Sequence, residues 1–423
     1  MINHKKRSKG SVIAAIDIGS AKTACLIAHV VDDNGTAEVI GIGHVASKGV
    51  KSGVIVDLKE TQGSVKRAVH AAEKMAATMM KGYPLRDVVM AVPSVYTTSS
   101  RSSASIKIMG HEIGEQDIRQ ALLMLEEEEY DSSSVLIHCI PTAYSADGHG
   151  GVENPIGLHA QSMRVDMHCV KAEETALKNV ISCAENSHLD VDCLCIAPYA
   201  AGLSSMVSDE KDMGCLTIDM GAGVTSYAVF YRGAMIHAGA IPVGGAHVTN
   251  DLAAGLNTSL ADAERLKTLY GSCASNVSDA NEMIDVPILG EDQNVEDRHV
   301  PRSNLVSIIR PRVEEIFELI RGDVDVNNMD MYTGGRVVLT GGGAQLAGVR
   351  DMASLMLNKQ VRVGKPSHLA GLAEITSGPE FAATAGLIHY ACERLDEQPR
   401  LDADGVNDLP LWSRIKHWFK ENW

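Results

Sequence analysis

The 423-residue sequence predicts an α/β protein of two similar lobes. The main observation is a repeat. Ala15-Ile16-Asp17-Ile18-Gly19-Ser20-Ala21-Lys22-Thr23 has a counterpart in Thr217-Ile218-Asp219-Met220-Gly221-Ala222-Gly223-Val224-Thr225. Each copy reads as an apolar strand, Asp-x-Gly, small residues, Thr and a second apolar strand. Asp17 and Asp219, like Thr23 and Thr225, lie 202 positions apart. A solenoid unit runs only about 20–50 residues, so the repeat marks two halves of one fold. A second observation is a late strand, Val337–Thr340, that runs straight into Gly341-Gly342-Gly343.

The chemistry of the repeated turn follows from its residues. Asp-x-Gly between strands makes a hairpin tip almost free of side-chain bulk, and glycine permits close approach. N–H groups at such a tip form an anion nest to which Ser or Thr hydroxyls add donors. A carboxylate beside the nest can hold Mg²⁺ directly or through waters. Either turn alone also reads as a plain glycine hairpin. Two matched turns suit a polyphosphate gripped from both sides.

Composition narrows the class. With 45% hydrophobic and 22% charged residues the chain reads as soluble and globular, and its length suits two to four domains or subdomains. A net charge of −16 argues against a general nucleic-acid binder. The nine cysteines show no zinc spacing and sit mostly in apolar runs, so they are expected as reduced core residues of a cytosolic protein. No run of 18 apolar residues is present, so no membrane span is expected. Lys5-Lys6-Arg7 before Val12–Ile16 resembles a signal peptide only superficially, because Asp17 and Gly19 interrupt the apolar run; residues 1–11 are expected to be a disordered basic arm.

Taken in order, Val12–Ile16, Thr23–Val31 and Glu38–Ala46 read as strands. Asp57 and Leu58 open a helix carrying Val65, Val69, Ala72, Met75 and Met79 at helical spacing, stopped by Gly82 and Pro84. Asp87–Val92 is a strand ended by Pro93. Texture then changes: a Ser/Thr cluster at 97–105, a short strand at Ile106–Met109, a helix from Gly114 through Leu125, a solvated acidic run at Glu126–Glu129, a strand at Val135–Ile140, a Gly-rich loop at Asp147–Pro155 and a strand at Met163–Val170. This predicts a small α/β insert, in which His138, His149 and His159 lack ligand spacing. Glu173–Glu185 is a helix, Val191–Ala197 a strand and Tyr199–Val207 a helix. After the second turn come strands at Ser226–Tyr231 and Ala234–Ala240. Gly244 and Gly245 precede a helix at His247–Gly255, where an anion contact is expected. Ser259 caps a helix at Ala261–Tyr270. Asp285–Arg302 is polar and turn-rich. Leu305–Ile320 is an amphipathic helix whose Pro311 implies a kink or a late start. Helices at Leu346–Leu357 and Pro379–Tyr390 follow the triple glycine.

The tail is a separate object. Residues 393–408 are acidic and read as a flexible linker. All three tryptophans lie beyond it. On a helical wheel Leu411, Trp412, Ile415, Trp418, Phe419 and Trp423 fall within roughly 140°, with Arg414, Lys416, His417 and Lys420 opposite. This pattern predicts an amphipathic helix over 409–423 lying on an anionic membrane surface. A helix docked on protein is the alternative, made less favourable by the linker.

The paired hairpins with Gly341–Gly343 resemble the phosphate and adenosine motifs of the actin-like (ribonuclease H-like) ATPase superfamily. Lys51-Ser52-Gly53-Val54-Ile55-Val56-Asp57, Ile140-Pro141, Asn154-Pro155-Ile156-Gly157-Leu158, Ser259–Lys267 and Val337–Gly343 narrow the resemblance to the FtsA family of bacterial division proteins. The resemblance covers about Val12–Tyr390 plus the tail. It implies a two-lobed fold with an FtsA-type 1C insert. The subdomains would be 1A at 12–86, 1C at 87–165, 1A again at 166–194, 2A at 195–242, 2B at 243–330, and 2A with a return to 1A at 331–392. It also implies an ATP–Mg²⁺ site. Asp17, Gly19, Ser20, Lys22 and Thr23 would form one phosphate loop. Asp219, Gly221, Gly223, Val224 and Thr225 would form the other, with Gly244 nearby. Gly341, Gly342 and Gly343 would lie under the adenosine, Glu264 and Lys267 near base or ribose, and Asp17 and Asp219 would hold the metal through waters.

The resemblance further implies a tether between FtsZ and the cytoplasmic face of the inner membrane, self-association into protofilaments, and contacts with later division proteins. FtsZ would be met around 243–330. The sequence departs from relatives at Ala222, where Gly is frequent, and at Ser226, where Asp is frequent. Chaperone and MreB branches carry Glu-Pro where this chain has Ala197-Pro198, and that Glu positions the attacking water. Strong ATP binding with poor hydrolysis is therefore expected. Two other readings are a type IV pilus assembly adaptor, whose pattern lacks the tail helix, and a small-molecule kinase, for which no catalytic carboxylate facing a hydroxyl substrate is evident.

Overall fold

The computed structural model describes residues 9–32, 35–128, 133–274, 281–288, 298–367, 369–372 and 376–393. The basic arm up to residue 8, Glu129 of the acidic run, the acidic linker from residue 394 and the tail helix lie outside the described residues.

The first lobe is built on β1 (Val12–Ile18), β2 (Lys22–Val30), β3 (Ala37–Ala46), the short β4 (Val50–Lys51) and β5 (Val54–Ile55), α1 (Leu58–Ala76) and β6 (Asp87–Val92). The insert follows: β7 (Thr97–Lys107), α2 (Glu115–Glu128), β8 (Ser134–Ala146), β9 (His149–Val152) and β10 (Ser162–Glu173). The chain returns through α3 (Glu174–Glu185) and β11 (Asp190–Ile196), then crosses over in α4 (Ala197–Ser205) and α5 (Ser208–Met213). The second lobe contains β12 (Cys215–Met220), β13 (Thr225–Tyr231), β14 (Ala234–Ile241), α6 (Gly245–Leu256), α7 (Leu260–Tyr270), β15 (Met283–Val286), β16 (Arg298–Pro301), α8 (Arg302–Val326), β17 (Arg336–Thr340), α9 (Val349–Leu357) and β18 (Gln360–Val363). The last described element is α10 (Ala382–Glu393).

The two halves repeat in topology. One sheet runs β3-β2-β1-β6-β11 and the other β14-β13-β12-β17-β18. In each, the first three strands pair antiparallel and the last two add in parallel. Asp17 stands opposite Ala24 and Asp219 opposite Ser226, the same place in each ladder. One buried core fills the first lobe and continues onto a face of the second lobe's sheet at Ala228, Phe230 and Val338, and another fills the rest of the second lobe, as expected where every sheet must bury at least one face.

Local sequence explains how α1 covers the first sheet. Asp57 accepts the Glu60 N–H at 3.0 Å as N-cap, a contact worth about 1 kcal/mol. Val65, Ala68, Val69, Ala72 and Ala76 form its buried stripe. Gly41 and Gly43 of β3 let the helix come close, because a Cβ at Gly43 would collide with the Ala68 carbonyl. A similar approach joins the lobes: α10 packs on α4, and a Cβ at Gly386 would overlap the Ala200 backbone.

Several expectations are corrected. The Ser/Thr cluster at 97–105 is part of an 11-residue edge strand, with its apolar signal confined to Ala104 and Ile106. The Gly-rich loop is a hairpin between β8 and β9, turned at Asp147 and Gly148, both with positive φ. The insert sheet spans 97–173 rather than 87–165, because β6 is central to the first lobe's sheet. The helix expected from Leu305 starts at Arg302 and runs through Pro311, with buried residues from Leu305 to Val324 on both sides of it. Short elements α5, β15, β16 and β18 were not expected. All nine cysteines are buried, as expected of core residues. His138 is buried and accepts the Ile196 N–H at 3.1 Å, whereas His149 and His159 are exposed.

The insert is rooted in the first lobe yet also touches the second. His168 Nδ1 lies 3.0 Å from the Met235 carbonyl of β14, and the Ala238 N–H donates to Ser99 Oγ at 3.3 Å. Burial drives the His168 pKa down to about 3, so the ring is neutral in this contact.

The Gly386 contact yields a stability prediction. Gly386→Ala should cost about 1–3 kcal/mol by overpacking. Gly322→Ala, in open space on α8, should be neutral or stabilise by up to about 1 kcal/mol. Denaturant unfolding of the two variants checks this.

Candidate functional site: the cleft between the two hairpins

Both Asp-x-Gly turns face one cleft of about 800 Å³, within the roughly 300–1,000 Å³ usual for small-molecule sites. In the first hairpin the Gly19 N–H donates to the Lys22 carbonyl at 2.9 Å; in the second the Gly221 N–H donates to the Val224 carbonyl at 3.0 Å. The tips nearly touch. A Cβ at Gly223 would fall 2.7 Å from the Ser52 Cα, and Ser20 Oγ, which accepts the Gly53 N–H at 2.9 Å, lies against the same glycine. Bare backbone on each tip is what allows this approach.

Three ionisable groups define the electrostatics. Asp17 and Asp219 both border the cleft, and burial raises both pKa values, with Lys22 pulling against the shift. Asp219 is pushed up to about 7, first by burial and then by the negative charge of Asp17. Lys22 is shifted down by burial and back up by Asp17, Glu380 and Asp219. Two carboxylates thus share one lysine.

The triple glycine forms the adjoining wall. Gly341 has φ +82°, a left-handed conformation that favours glycine, and a Cβ there would collide with the Asp219 carboxylate. A Cβ at Gly343 would fall 2.9 Å from the Met220 Cβ. At the far wall, Lys267 Nζ donates to the Gly245 carbonyl at 3.0 Å, Thr249 Oγ1 at 2.9 Å and Glu264 Oε2 at 2.7 Å. Thr249 also donates to Glu264. Glu264, Lys267, Gly342, Ser226 and Ala197 all line the cleft.

Three expected residues stand behind the lining instead. Thr23 is fully buried and shares a 2.7 Å hydrogen bond with Ser47. Thr225 is also buried and donates to the Val243 carbonyl at 2.8 Å. Strand alternation turns both hydroxyls away from the tips. Gly244 does not offer a free anion contact: its N–H donates to His247 Nδ1 at 3.1 Å. The next N–H groups, of Gly245 and Ala246, donate to the carbonyls of Gly221 and Ala222 at 3.0 and 2.7 Å. The start of α6 therefore braces the second hairpin.

Sequence reasoning did not single out Arg302, Gln345 or Glu380, which also line the cleft. Arg302 Nε donates to the Tyr270 carbonyl at 2.9 Å, and Gln345 Nε2 to Glu380 Oε2 at 2.7 Å. Arg302 and Glu380 carry no local signal, since each arrives from a distant part of the chain, whereas Gln345 belongs to the turn that begins at the triple glycine. Gly53, quoted from sequence only within the Lys51–Asp57 stretch, also lines the cleft, on the turn between β4 and β5.

Known proteins resemble this chain in sequence and in fold. The family model "Cell division protein FtsA" matches residues 216–386, and "SHS2 domain inserted in FTSA" matches 94–171. The cell division protein FtsA of Agrobacterium fabrum is 39% identical over 428 aligned residues, covering 98% of this chain and 95% of that protein. Among solved structures, the type IV pilus biogenesis complex PilM-PilN matches with a TM-score of 0.64 at 16% identity, covering 90% of this chain and 98% of that one. MreB 5 of Spiroplasma citri, bound to AMPPNP, matches with a TM-score of 0.52 at 13% identity, covering 97% and 99%. At these identities the two structures speak to fold alone, which is actin-like. The sequence likeness to FtsA runs nearly end to end and includes the insert, and the chain belongs to the FtsA family of cell division proteins.

Proposed function

We propose that the cleft binds ATP with Mg²⁺ and that the protein is a nucleotide-controlled membrane tether for the FtsZ ring. The observation that carries this reading is the opposition of two bare Asp-x-Gly tips across one cleft. The residues fit the ligand. Gly19 and Gly221 close the two turns, backbone at Ser20, Gly223 and Val224 borders the cleft within reach of phosphate oxygens, and Lys22 adds a cation. Asp17 and Asp219 are hard oxygen donors for a cation held through waters. Gly341, Gly342 and Gly343 offer a flat floor for adenosine, with Glu264 and Lys267 at base or ribose. Thr23, Thr225 and Gly244 support the loops from behind. Mg²⁺, when bound, supplies positive charge to the phosphates.

Hydrolysis should be slow. Ala197 lines the cleft at the start of α4 with Pro198 in its first turn. A methyl group cannot orient an attacking water, which phosphoryl transfer requires. Nucleotide then acts mainly as a conformational ligand that settles the two lobes around it.

The output proposed is attachment. The amphipathic pattern at Leu411–Trp423 places apolar and basic side chains on opposite faces, and one such helix binds a membrane weakly and reversibly. Several tails on one self-associated filament bind with far greater avidity. FtsZ, further copies of this chain and later division proteins are the partners proposed, on the cytoplasmic face of the inner membrane. Among the described residues no helix is long and apolar enough to cross a membrane.

Two outcomes follow. Folded-state carboxyls with raised pKa values bind protons that the unfolded chain releases. Their contribution to stability is therefore full below about 3.8 and is lost as the pH rises towards about 7 for Asp219. Without divalent cation, Asp219→Asn should melt above the natural chain at pH 8 by about 2–4 °C or more, the gap closing towards pH 5; a gap independent of pH contradicts the burial penalty. In co-sedimentation with anionic liposomes, the full chain should carry FtsZ into the pellet more strongly with ATP, and removal of residues 409–423 should leave both proteins in the supernatant. Pelleting of the truncated chain, or no FtsZ recruitment by the full chain, sinks the tether.

A further inference from the structure

Behind the first hairpin the chain re-enters the cleft between Gly378 and Thr384. The Lys22 ammonium donates to the Glu380 carbonyl at 2.6 Å and lies 3.4 Å from the centroid of the Phe381 ring. That is well inside the roughly 6 Å over which a cation and an aromatic face attract. Phe381 is 3% exposed and braced edge-on by His44, ring centroids 5.5 Å apart. One turn further, Thr384 is fully buried. Its hydroxyl lies beside the Asp17 carboxylate, whose charged form it favours, and has no hydrogen-bond partner among the described residues. The segment is itself pinned to the second lobe. The Pro379 carbonyl accepts the Gly341 N–H at 3.1 Å and Thr340 Oγ1 at 3.2 Å, and Gln345 holds the Glu380 carboxylate.

An ammonium on a four-carbon stem is a mobile charge with three donors. The Glu380 carbonyl takes one donor and the Phe381 face confines the head, which leaves the other donors for the cleft. Thr384 bears on the carboxylate of the same hairpin: its buried hydroxyl, unpartnered among the described residues, is placed to donate to Asp17 when the site fills. Phe381 and Thr384 are three residues apart, so they share one face of the turn that opens α10.

We propose that Phe381 and Thr384 are positioning residues that aim the Lys22 ammonium and the Asp17 carboxylate at an incoming polyphosphate and its divalent cation. The proposal rests on the ATP–Mg²⁺ reading of the cleft. Because Pro379 is held by the Gly341 turn, the aim depends on the second lobe being seated against the first. The lysine is therefore preorganised in a closed cleft and less so in an open one.

A double-mutant cycle tests this on the full chain, with equilibrium binding of a fluorescent ATP analogue in Mg²⁺ as readout. Phe381→Leu should weaken binding about tenfold, Phe381→Tyr should restore most of it, and Phe381→Leu in a Lys22→Ala background should cost less than about twofold. Thr384→Val should raise the Mg²⁺ concentration for half-maximal binding by about fivefold, with Thr384→Ser close to the natural chain. A tenfold loss that persists without Lys22, or Thr384→Val matching the natural chain, overturns the proposal and leaves both residues as core packing. No binding of the analogue by the natural chain overturns the ATP reading and this proposal together.

Discussion

Two carboxylates are held in one cleft under the charge of the same lysine, Lys22, and much of the structure serves to keep them there. Burial raises both pKa values, and the charge of Asp17 adds to the cost of ionising Asp219, which reaches about 7. Like charges brought together out of water destabilise a fold unless a counter-charge arrives. A chain that needed only a stable core would place apolar residues at these two ladder positions. The arrangement suits a site completed by a cation and a polyanion, and it links nucleotide binding to the closeness of the lobes.

Geometry makes that link mechanical. The hairpin tips meet at Gly223 and Ser20, and α4 meets α10 at Gly386. These contacts tolerate no added atoms, so the lobes can change their angle but have little room to approach further. The insert takes part as well. It belongs to the first lobe by chain connectivity, yet Ser99 and His168 hold it to β14 of the second. The other end of β14 leads into the loop at Val243, which the second hairpin grips through Thr225. A ligand that shifts one lobe against the other would therefore load the root of the insert.

The sequence disclosed the parts of this design that repeat or stay local. The 202-residue offset announced two lobes, and the ladders place Asp17 and Asp219 at equivalent positions. Helices with a clear apolar stripe, such as α1 and α8, were legible from periodicity. Edge strands were not: β7 carries serines because only one face is buried, and a Ser-rich run reads as loop. The Asp147-Gly148 turn was legible in principle, since Asp-Gly between extended segments signals a two-residue hairpin. Orientation was not legible, because Thr23 and Thr225 lie next to the tips in sequence and yet point away from them. Nor was the bracing by Glu380, Phe381 and Thr384, which joins residues some 358 positions apart.

The central claim is that one ligand sits between both tips, and a single substitution addresses it. Valine at Gly223 would place its side chain against Ser20 and Ser52, where the hairpins now meet. Equilibrium binding of a non-hydrolysable ATP analogue with Mg²⁺ should show saturable binding by the natural chain. Gly223→Val, whose side chain forces the tips apart at some cost in stability, should lose at least about a hundredfold in affinity when measured at a temperature where both chains are folded. Unchanged affinity in Gly223→Val would contradict a two-sided grip.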